Sequence, residues 1–410
     1  MHPSFQNKLR DSRSPWSLFK TSFLWTMKKD PDLEAALFRD RRWMINNQIK
    51  NLILAYPNPS VPVHHLQKKI KTLGLRGSAM NWLKKYPSCF ESWFENDESR
   101  CRLTKRLMSL VEEEELVKEQ QEPVFVERLA KLLMMSVNRR LNVVKLNNLK
   151  RSFGFPDDYL NRIVSKNLDV FRIVNHSGKR NGTEIELLKW NSEFGVSKIE
   201  ALAKREGSEP CFTCCLPSTW VKAREQLREF NSLPYISPYE SLKGFMEGSR
   251  ELEKRRVALV HEILSLTLWK KVSILKLNHF SREFDLPDKL NVLLLKYSCL
   301  FYVSNKYRIY TVLLREGFNG SEMADKDPLV VAKDKIGELM LEGWSEFNKR
   351  RRLINLEKKK KKASLSMHDG QKIGVSSEDC RNIDKCNKLV GLFDPEKRKQ
   401  FYKILFDDEK

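Results

Sequence analysis

Residues 277–302 read LNHFSREFDLPDKLNVLLLKYSCLFY, and the chain carries two further versions of that stretch. Residues 66–91 read LQKKIKTLGLRGSAMNWLKKYPSCFE, and residues 146–172 read LNNLKRSFGFPDDYLNRIVSKNLDVFR. The first and third copies align without a gap at a shift of 211. Leu66, Leu75, Leu83, Lys85, Tyr86 and Phe90 then fall on Leu277, Leu286, Leu294, Lys296, Tyr297 and Phe301. The middle copy needs one extra residue before its closing aromatic, Phe171. Self-similarity on this scale means that one supersecondary unit has been reused. Spacings of about 80 and 131 residues are too long and too unequal for a tight solenoid. They fit a few related modules with different connectors.

Each copy predicts two helices around a break. Leu146, Leu149 and Phe153 stand at i, i+3 and i+7, and Phe155-Pro156-Asp157 interrupts them. The third copy repeats the plan with Leu277, Phe280 and Phe284 before Leu286-Pro287-Asp288. In the first, Gly74 ends one helix and Ser78 is placed to cap the next. Asp157 or Asp158 is the corresponding cap candidate in the second. A hairpin signal follows. Phe171–Trp190 sets two β-prone runs about a Gly- and Asn-rich turn, and Phe301–Leu314 alternates around Asn305-Lys306. Phe90–Leu107 reads the same way less cleanly. The expected fold is therefore α+β and predominantly helical. Three winged-helix-like repeats (near 66–107, 146–190 and 277–314) are joined by helical and loop connectors. Three ordinary α+β modules would give the same periodicity.

Outside the repeats, residues 31–60 look helical up to Pro57 and Pro59, and 251–269 form a long helix. Residues 196–250 look loop-rich, and Glu112–Glu115 reads as a solvated helix face or linker. Residues 349–362 are polybasic. From Ala363 the composition turns polar, which predicts a largely disordered tail to residue 410, with a short helix possible in its last third. The domain reading is a leader over 1–30, a binding region over 31–344 and a tail over 345–410.

Lysine plus arginine total 75 against 53 acids, a net charge of +22. Such a field attracts polyanions, nucleic acid first and an anionic membrane surface second. A merely well-solvated surface has the same composition. No apolar run approaches the ~20 residues of a membrane span, so no membrane insertion is expected. Residues 1–30 carry six basic residues, two acids and five serines, the look of an organelle transit peptide or of a basic arm.

Nothing points to an active site. Phosphate-loop, dinucleotide-fold and nucleophile-elbow glycine patterns are all missing from the sequence. His261-Glu262 begins a zinc-hydrolase signature, but Ser265 stands where its second histidine belongs. Cys211-Phe-Thr-Cys214-Cys215 has one CxxC spacing with no second pair near it, so no metal or cofactor is expected. The informative residues are basic. Lys68, Lys69, Lys71, Arg76, Lys84 and Lys85 belong to the first repeat; Lys145, Lys150, Arg151, Arg162 and Lys166 to the second; Lys276, Arg282, Lys289 and Lys296 to the third. All lie off the apolar stripes, where mobile cations meet phosphates. Tyr86 and Tyr297 are either base-stacking platforms or core residues, and their register favours core.

Several strings in order carry a resemblance: LKKYPSCFE (83–91), RLAKLLMMSVNRRL (128–141), FGFPDDYLNRIVSKNLDVFRIV (153–174) and LPYISPYE (233–240). EKRRVALVHEILSLTLWKKV (253–272), FSREFDLPDKL (280–290), LFYVSNKYRIYTVLLRE (300–316) and DKDPLVVAKDKIGELMLEGW (325–344) continue it. Over roughly residues 40–344 the chain resembles the plant organelle RNA recognition domain family. That resemblance implies a non-enzymatic RNA-binding protein of mitochondria, or alternatively chloroplasts. Its implied partners are intron-containing organellar RNA and other splicing factors, and its implied role is group II intron splicing. The rival reading is a winged-helix protein that binds duplex DNA as an organellar transcription factor.

Overall fold

The computed structural model describes residues 29–37, 41–58, 60–69, 73–75, 77–176, 178–242, 244–305 and 310–368. The leader before residue 29, the terminal helix expected near 389–406, Lys71, Arg76 and Lys306 lie outside the described residues. The protein is α+β, about half helical, with small antiparallel sheets. The chain divides into two units, one of Phe38–Glu113 and Lys333–Lys410, the other of Met1–Leu37 and Glu114–Ala332.

After the short helix α1 (Pro31–Ala36), which belongs to the larger unit, the smaller unit opens on α2 (Arg41–Leu54). It continues with β1 (Ser60–Pro62), α3 (Val63–Lys68), α4 (Ala79–Leu83), β2 (Phe90–Glu95) and β3 (Glu98–Leu103). The sheet order is β1-β3-β2, with Val61 opposite Cys101 and Phe90 opposite Leu103. Ile49, Val61, Leu66, Leu83 and Phe90 form one core with Ile336, Leu339 and Met340. Those last three come from a helix far along the chain, whose carbonyl at Leu339 accepts from Ser88 Oγ at 2.6 Å.

The larger unit holds the other two repeats. α5 (Lys105–Gln120) leads into it, followed by α6 (Glu122–Met135), β4 (Arg140–Asn142), α7 (Val143–Phe153), a π-helical turn (Leu160–Val164), β5 (Phe171–Asn175) and β6 (Thr183–Leu187). Next come α8 (Lys198–Glu206), α9 (Val221–Asn231), α10 (Arg250–Leu266), β7 (Lys271–Ser273), α11 (Ile274–Asn278), α12 (Leu290–Lys296), β8 (Phe301–Ser304) and β9 (Thr311–Leu314). A small pair, β10 (Phe318–Asn319) and β11 (Glu322–Met323), precedes α13 (Pro328–His368). The two larger sheets have orders β4-β6-β5 and β7-β9-β8. The same succession of strand, two short helical pieces and hairpin thus occurs three times.

The repeats share backbone as well as order. A residue between the two helical pieces sits in the left-handed region each time, at Gly74 (φ 66°), Gly154 (φ 82°) and Asp285 (φ 51°). Asparagine and aspartate tolerate that region better than other side-chain-bearing residues. Asp285 is also anchored from outside its own repeat. Its carboxylate lies 3.0 Å from Arg256, and its carbonyl accepts from Arg256 Nε at 2.8 Å.

Several expectations need correction. Residues 196–250 contain two helices, α8 and α9, and α8 starts with a capping box built by Ser197 and Glu200. Neither Ser78 nor the Asp157-Asp158 pair caps the following helical piece through its side chain. Glu114, in the acidic run, is buried and pairs with Lys118 at 3.4 Å. The polybasic tract is helical and α13 runs on to His368, past the point where disorder was expected.

Candidate nucleic-acid interface

The candidate cations divide by what surrounds them. In the first repeat Lys68 and Lys69 end α3, Lys84 and Lys85 end α4, and none has an ion-pair partner among the described residues. Lys68, Lys69 and Lys84 are exposed. Lys85 is half-buried, with Nζ 5.5 Å from the Trp82 ring. In the third repeat Arg282 and Lys289 are exposed, again with no ion-pair partner among the described residues.

The second repeat is different. Lys150 lies 2.8 Å from Asp157, and Arg151, whose side chain is 70% exposed, reaches the same carboxylate only at 4.0 Å. The Lys150 contact, a hydrogen bond as well as a charge, holds Asp157 below the usual carboxylate pKa. Arg162 is held by Glu115 at 2.6 Å, Glu122 at 3.5 Å and Asp158 at 3.7 Å. Lys166 shares Glu122 at 3.0 Å. Here the acids of α5 and α6 supply the neutralising charge, so Arg162 braces the π-helical turn instead of presenting a charge to a ligand.

Two more candidates are fasteners between the second and third repeats. Lys145 pairs with Glu283, and Lys276 Nζ donates to the Asn148 carbonyl at 2.7 Å. Backbone bonds run along the same seam, from Val137 N to Glu283 O at 2.8 Å and from Leu268 N to Ser152 O at 2.8 Å. Lys296 is bound to Glu253 at 2.6 Å. Among the candidates that are described, those without an ion-pair or hydrogen-bond partner are Lys68, Lys69, Lys84, Lys85, Arg282 and Lys289, with Arg151 weakly held.

Tyr86 and Tyr297 are core, at 3% and 4% exposure. The aromatics that reach solvent are on or beside the hairpins, outside the set of sequence candidates. Phe94, at 70% exposure, flanks the β2–β3 turn, whose Asn96 and Asp97 both have positive φ. Arg102 lies over its neighbour Trp93, 5.3 Å from the ring centroid. Beyond β6, Trp190 is 38% exposed with Arg139 at 5.0 Å. An apolar residue beside a hairpin turn in a basic module is the signal that would have found Phe94. Bases stack on such rings without regard to sequence.

No group of three or more His, Cys, Asp or Glu among the described residues is placed to hold a metal ion. His261 is buried in α10, 3.0 Å from Glu316. Cys214 Sγ lies 3.3 Å from Cys299 Sγ, so the CFTCC stretch is packed against the third repeat. Among the described residues no helix is long and apolar enough to cross a membrane.

The family model of the plant organelle RNA recognition domain matches residues 28–345. The chain is 30% identical over 332 residues to Protein WHAT'S THIS FACTOR 1 homolog, chloroplastic, of Arabidopsis thaliana, covering 76% of this chain and 62% of that protein. It is 30% identical over 316 residues to Protein ROOT PRIMORDIUM DEFECTIVE 1 of the same plant, covering 71% and 77%. Against Protein WHAT'S THIS FACTOR 9, mitochondrial, also from Arabidopsis thaliana, identity is 29% over 302 residues, covering 71% and 78%. The chain thus spans less than two thirds of the first of these relatives. No solved structure matches it. A family model that covers all three repeats, including every string on which the resemblance rested, places this chain in the plant organelle RNA recognition domain family.

Proposed function

We propose that the protein binds RNA in a plant organelle and promotes the splicing of group II introns, using three winged-helix modules as the binding scaffold. The observation that carries the reading is the set of cations without acid partners among the described residues on the helix ends of the first and third modules; the first and second modules add the solvent-facing aromatics Phe94 and Trp190. The sheet order, in which the first strand pairs with the far strand of the hairpin, supports the winged-helix description. Family membership supports RNA as ligand. Relatives named chloroplastic and mitochondrial support an organelle without choosing between the two.

The chemistry of splicing belongs to the RNA in this reading, and the protein is not an enzyme. Cations neutralise phosphates and release counterions, and the hairpin aromatics stack on unpaired bases. Binding then favours the intron conformation that reacts, because a ligand shifts an equilibrium by its differential affinity for the two states.

Duplex DNA is the rival ligand. A major-groove reader needs a recognition helix long enough to follow the groove. The second helical pieces here have 5, 5 and 7 residues, roughly 7–11 Å at the usual rise. That disfavours duplex reading and suits loops and single strands. The test is competition between intron RNA, single-stranded RNA and duplex DNA at one salt concentration. Preference for the RNA ligands, with binding that weakens steeply as salt rises, is expected. Tighter binding to duplex DNA would overturn the reading.

A further inference from the structure

We propose that Lys85, with Arg42 and Arg351 around it, forms a phosphate-binding cradle in the smaller unit, and that this cradle is the primary RNA backbone contact of the molecule. The inference rests on the RNA-binding reading above and locates it.

The geometry starts with four aromatic rings. Trp82 packs on Tyr86 with centroids 5.8 Å apart, Tyr86 stacks on Trp344 at 5.9 Å, and Trp344 stacks on Phe347 at 5.8 Å. Trp82 is fixed in place because its Nε1 donates to Asn46 Oδ1 at 2.8 Å. Two cations ride on this row of rings. Lys85 Nζ is 5.5 Å from the Trp82 centroid, and Arg42 Cζ is 4.3 Å from that of Trp344. Lys85 follows the end of α4 and Arg42 belongs to α2; Arg351 stands two turns beyond Trp344 on α13, on the same helix face, and its charge is felt at Lys85. Three elements distant in sequence thus bring positive groups to one place.

Lys85 differs from the candidates of the second module because it is half-buried with like charges, not carboxylates, acting on it. In the second module Lys150, Arg162 and Lys166 each have a carboxylate within 3.0 Å. Lys85 and Arg351 have no ion-pair partner among the described residues, and the charges acting on Lys85 are those of Arg42 and Arg351. Burial first, and then these two like charges, lower its pKa from the ordinary lysine value. Trp344 Nε1 adds a buried donor without an acceptor. Gathered like charges are relieved by a ligand that brings only acceptors and negative charge. A phosphodiester does that, and the row of rings restrains the cations before it arrives. Lys84, exposed beside Lys85, extends the positive field, while Arg350 on α13 is matched by Glu346 at 3.7 Å.

The experiment measures affinity for a labelled single-stranded oligoribonucleotide as a function of salt. Full-length wild type, Lys85→Gln/Arg351→Gln and a control, Lys204→Gln/Arg205→Gln on α8, are compared. Each lost phosphate contact lowers the slope of log K against log salt by about 0.7 for a single strand, so the cradle double variant is expected to lose about 1.4. A loss no larger than in the control, which removes the same net charge, overturns the cradle while the RNA-binding reading stands. A wild type that retains no oligoribonucleotide overturns that reading itself. The second measurement needs no substitution. Limiting acylation of wild type, read by mass spectrometry, should show Lys84 and Lys85 protected several-fold by the oligoribonucleotide. Equal modification with and without it also overturns the cradle.

Discussion

Single residues carry much of the fold's specificity. Gly154 ends α7 at φ 82°, and a Cβ there would lie 2.9 Å from Leu268 Cδ2. Gly207 ends α8 in the same conformation with open space around it. Alanine at Gly207 meets only the backbone penalty of the left-handed region, about 1–2 kcal/mol. Alanine at Gly154 adds overpacking of roughly 1–3 kcal/mol. Chemical denaturation should therefore show Gly154→Ala as the more destabilised of the two, and equal losses would mean that the Leu268 contact is unimportant. Lys270 carries a pH signature. It precedes β7 at φ 48°, its Nζ donates to Ser265 O at 2.6 Å, and burial followed by the charges of Lys198 and Arg128 lowers its pKa to about 8. An unfolded lysine titrates near 10.4. Between those values the unfolded state holds more protons, so this residue's contribution to stability rises with pH. Below pH 8 the buried charge is a cost in full. Lys270→Met should be more stable than wild type near pH 7, and its advantage should fade between pH 8 and 10.5. A pH-independent difference in denaturation midpoint would refute this.

Elements show what the sequence could reveal and what it could not. The helix pairs and hairpins of all three repeats were legible because apolar spacing, turn residues and self-similarity agreed. The strands β1, β4 and β7 were not, since three residues are too few to display an alternation. They become visible only by pairing, as where Leu141 meets Ile185. Lys254, Arg255 and Arg256 look like a solvated helix face, yet all three are buried in α10. Lys254 donates to Phe230 O at 2.8 Å, and Arg255 to Glu240 O at 3.1 Å and Pro238 O at 3.2 Å. Those acceptors come from the end of α9 and from the proline-bearing loop that follows it, whose path no local pattern reveals. The acid partners of Arg162 and Lys166, Glu115 and Glu122 on α5 and α6, were equally invisible, because they are distant in sequence. Arg128 illustrates how elements are joined. From α6 it donates to Phe153 O at 3.0 Å and pairs with Asp327, which also accepts from Leu329 N at 2.8 Å at the start of α13. Removing one partner of a fully buried pair costs about 3–5 kcal/mol; this pair is only partly buried, which lowers the cost to roughly 1–3 kcal/mol. Arg128→Met should lose that much, and adding Asp327→Asn should recover part of it in a double-mutant cycle. Strict additivity of the two changes would show that the pair is not coupled.

On the scale of the whole molecule, the net charge of +22 overstates what is free to bind. Part of the positive charge is structural, matched by carboxylates or spent on backbone carbonyls. Among the candidate cations that are described, those without acid partners sit on the helix ends of the first and third repeats. Two kinds of contact should consequently be separable. Cations act through counterion release, which changes the salt dependence; aromatic stacking on an unpaired base does not. Phe94→Ala and Trp190→Ala remove exposed rings without altering charge. Each is expected to weaken binding to single-stranded RNA by about 1–3 kcal/mol per stacked base while leaving the salt slope unchanged. Lys68→Gln/Lys69→Gln should do the reverse, lowering the slope by about 1.4 with little dependence on base sequence. Fluorescence anisotropy across a salt series distinguishes the two patterns. If the ring variants changed the slope, or changed nothing, the hairpins would have no part in holding RNA, and base recognition would have to come from the helix ends alone.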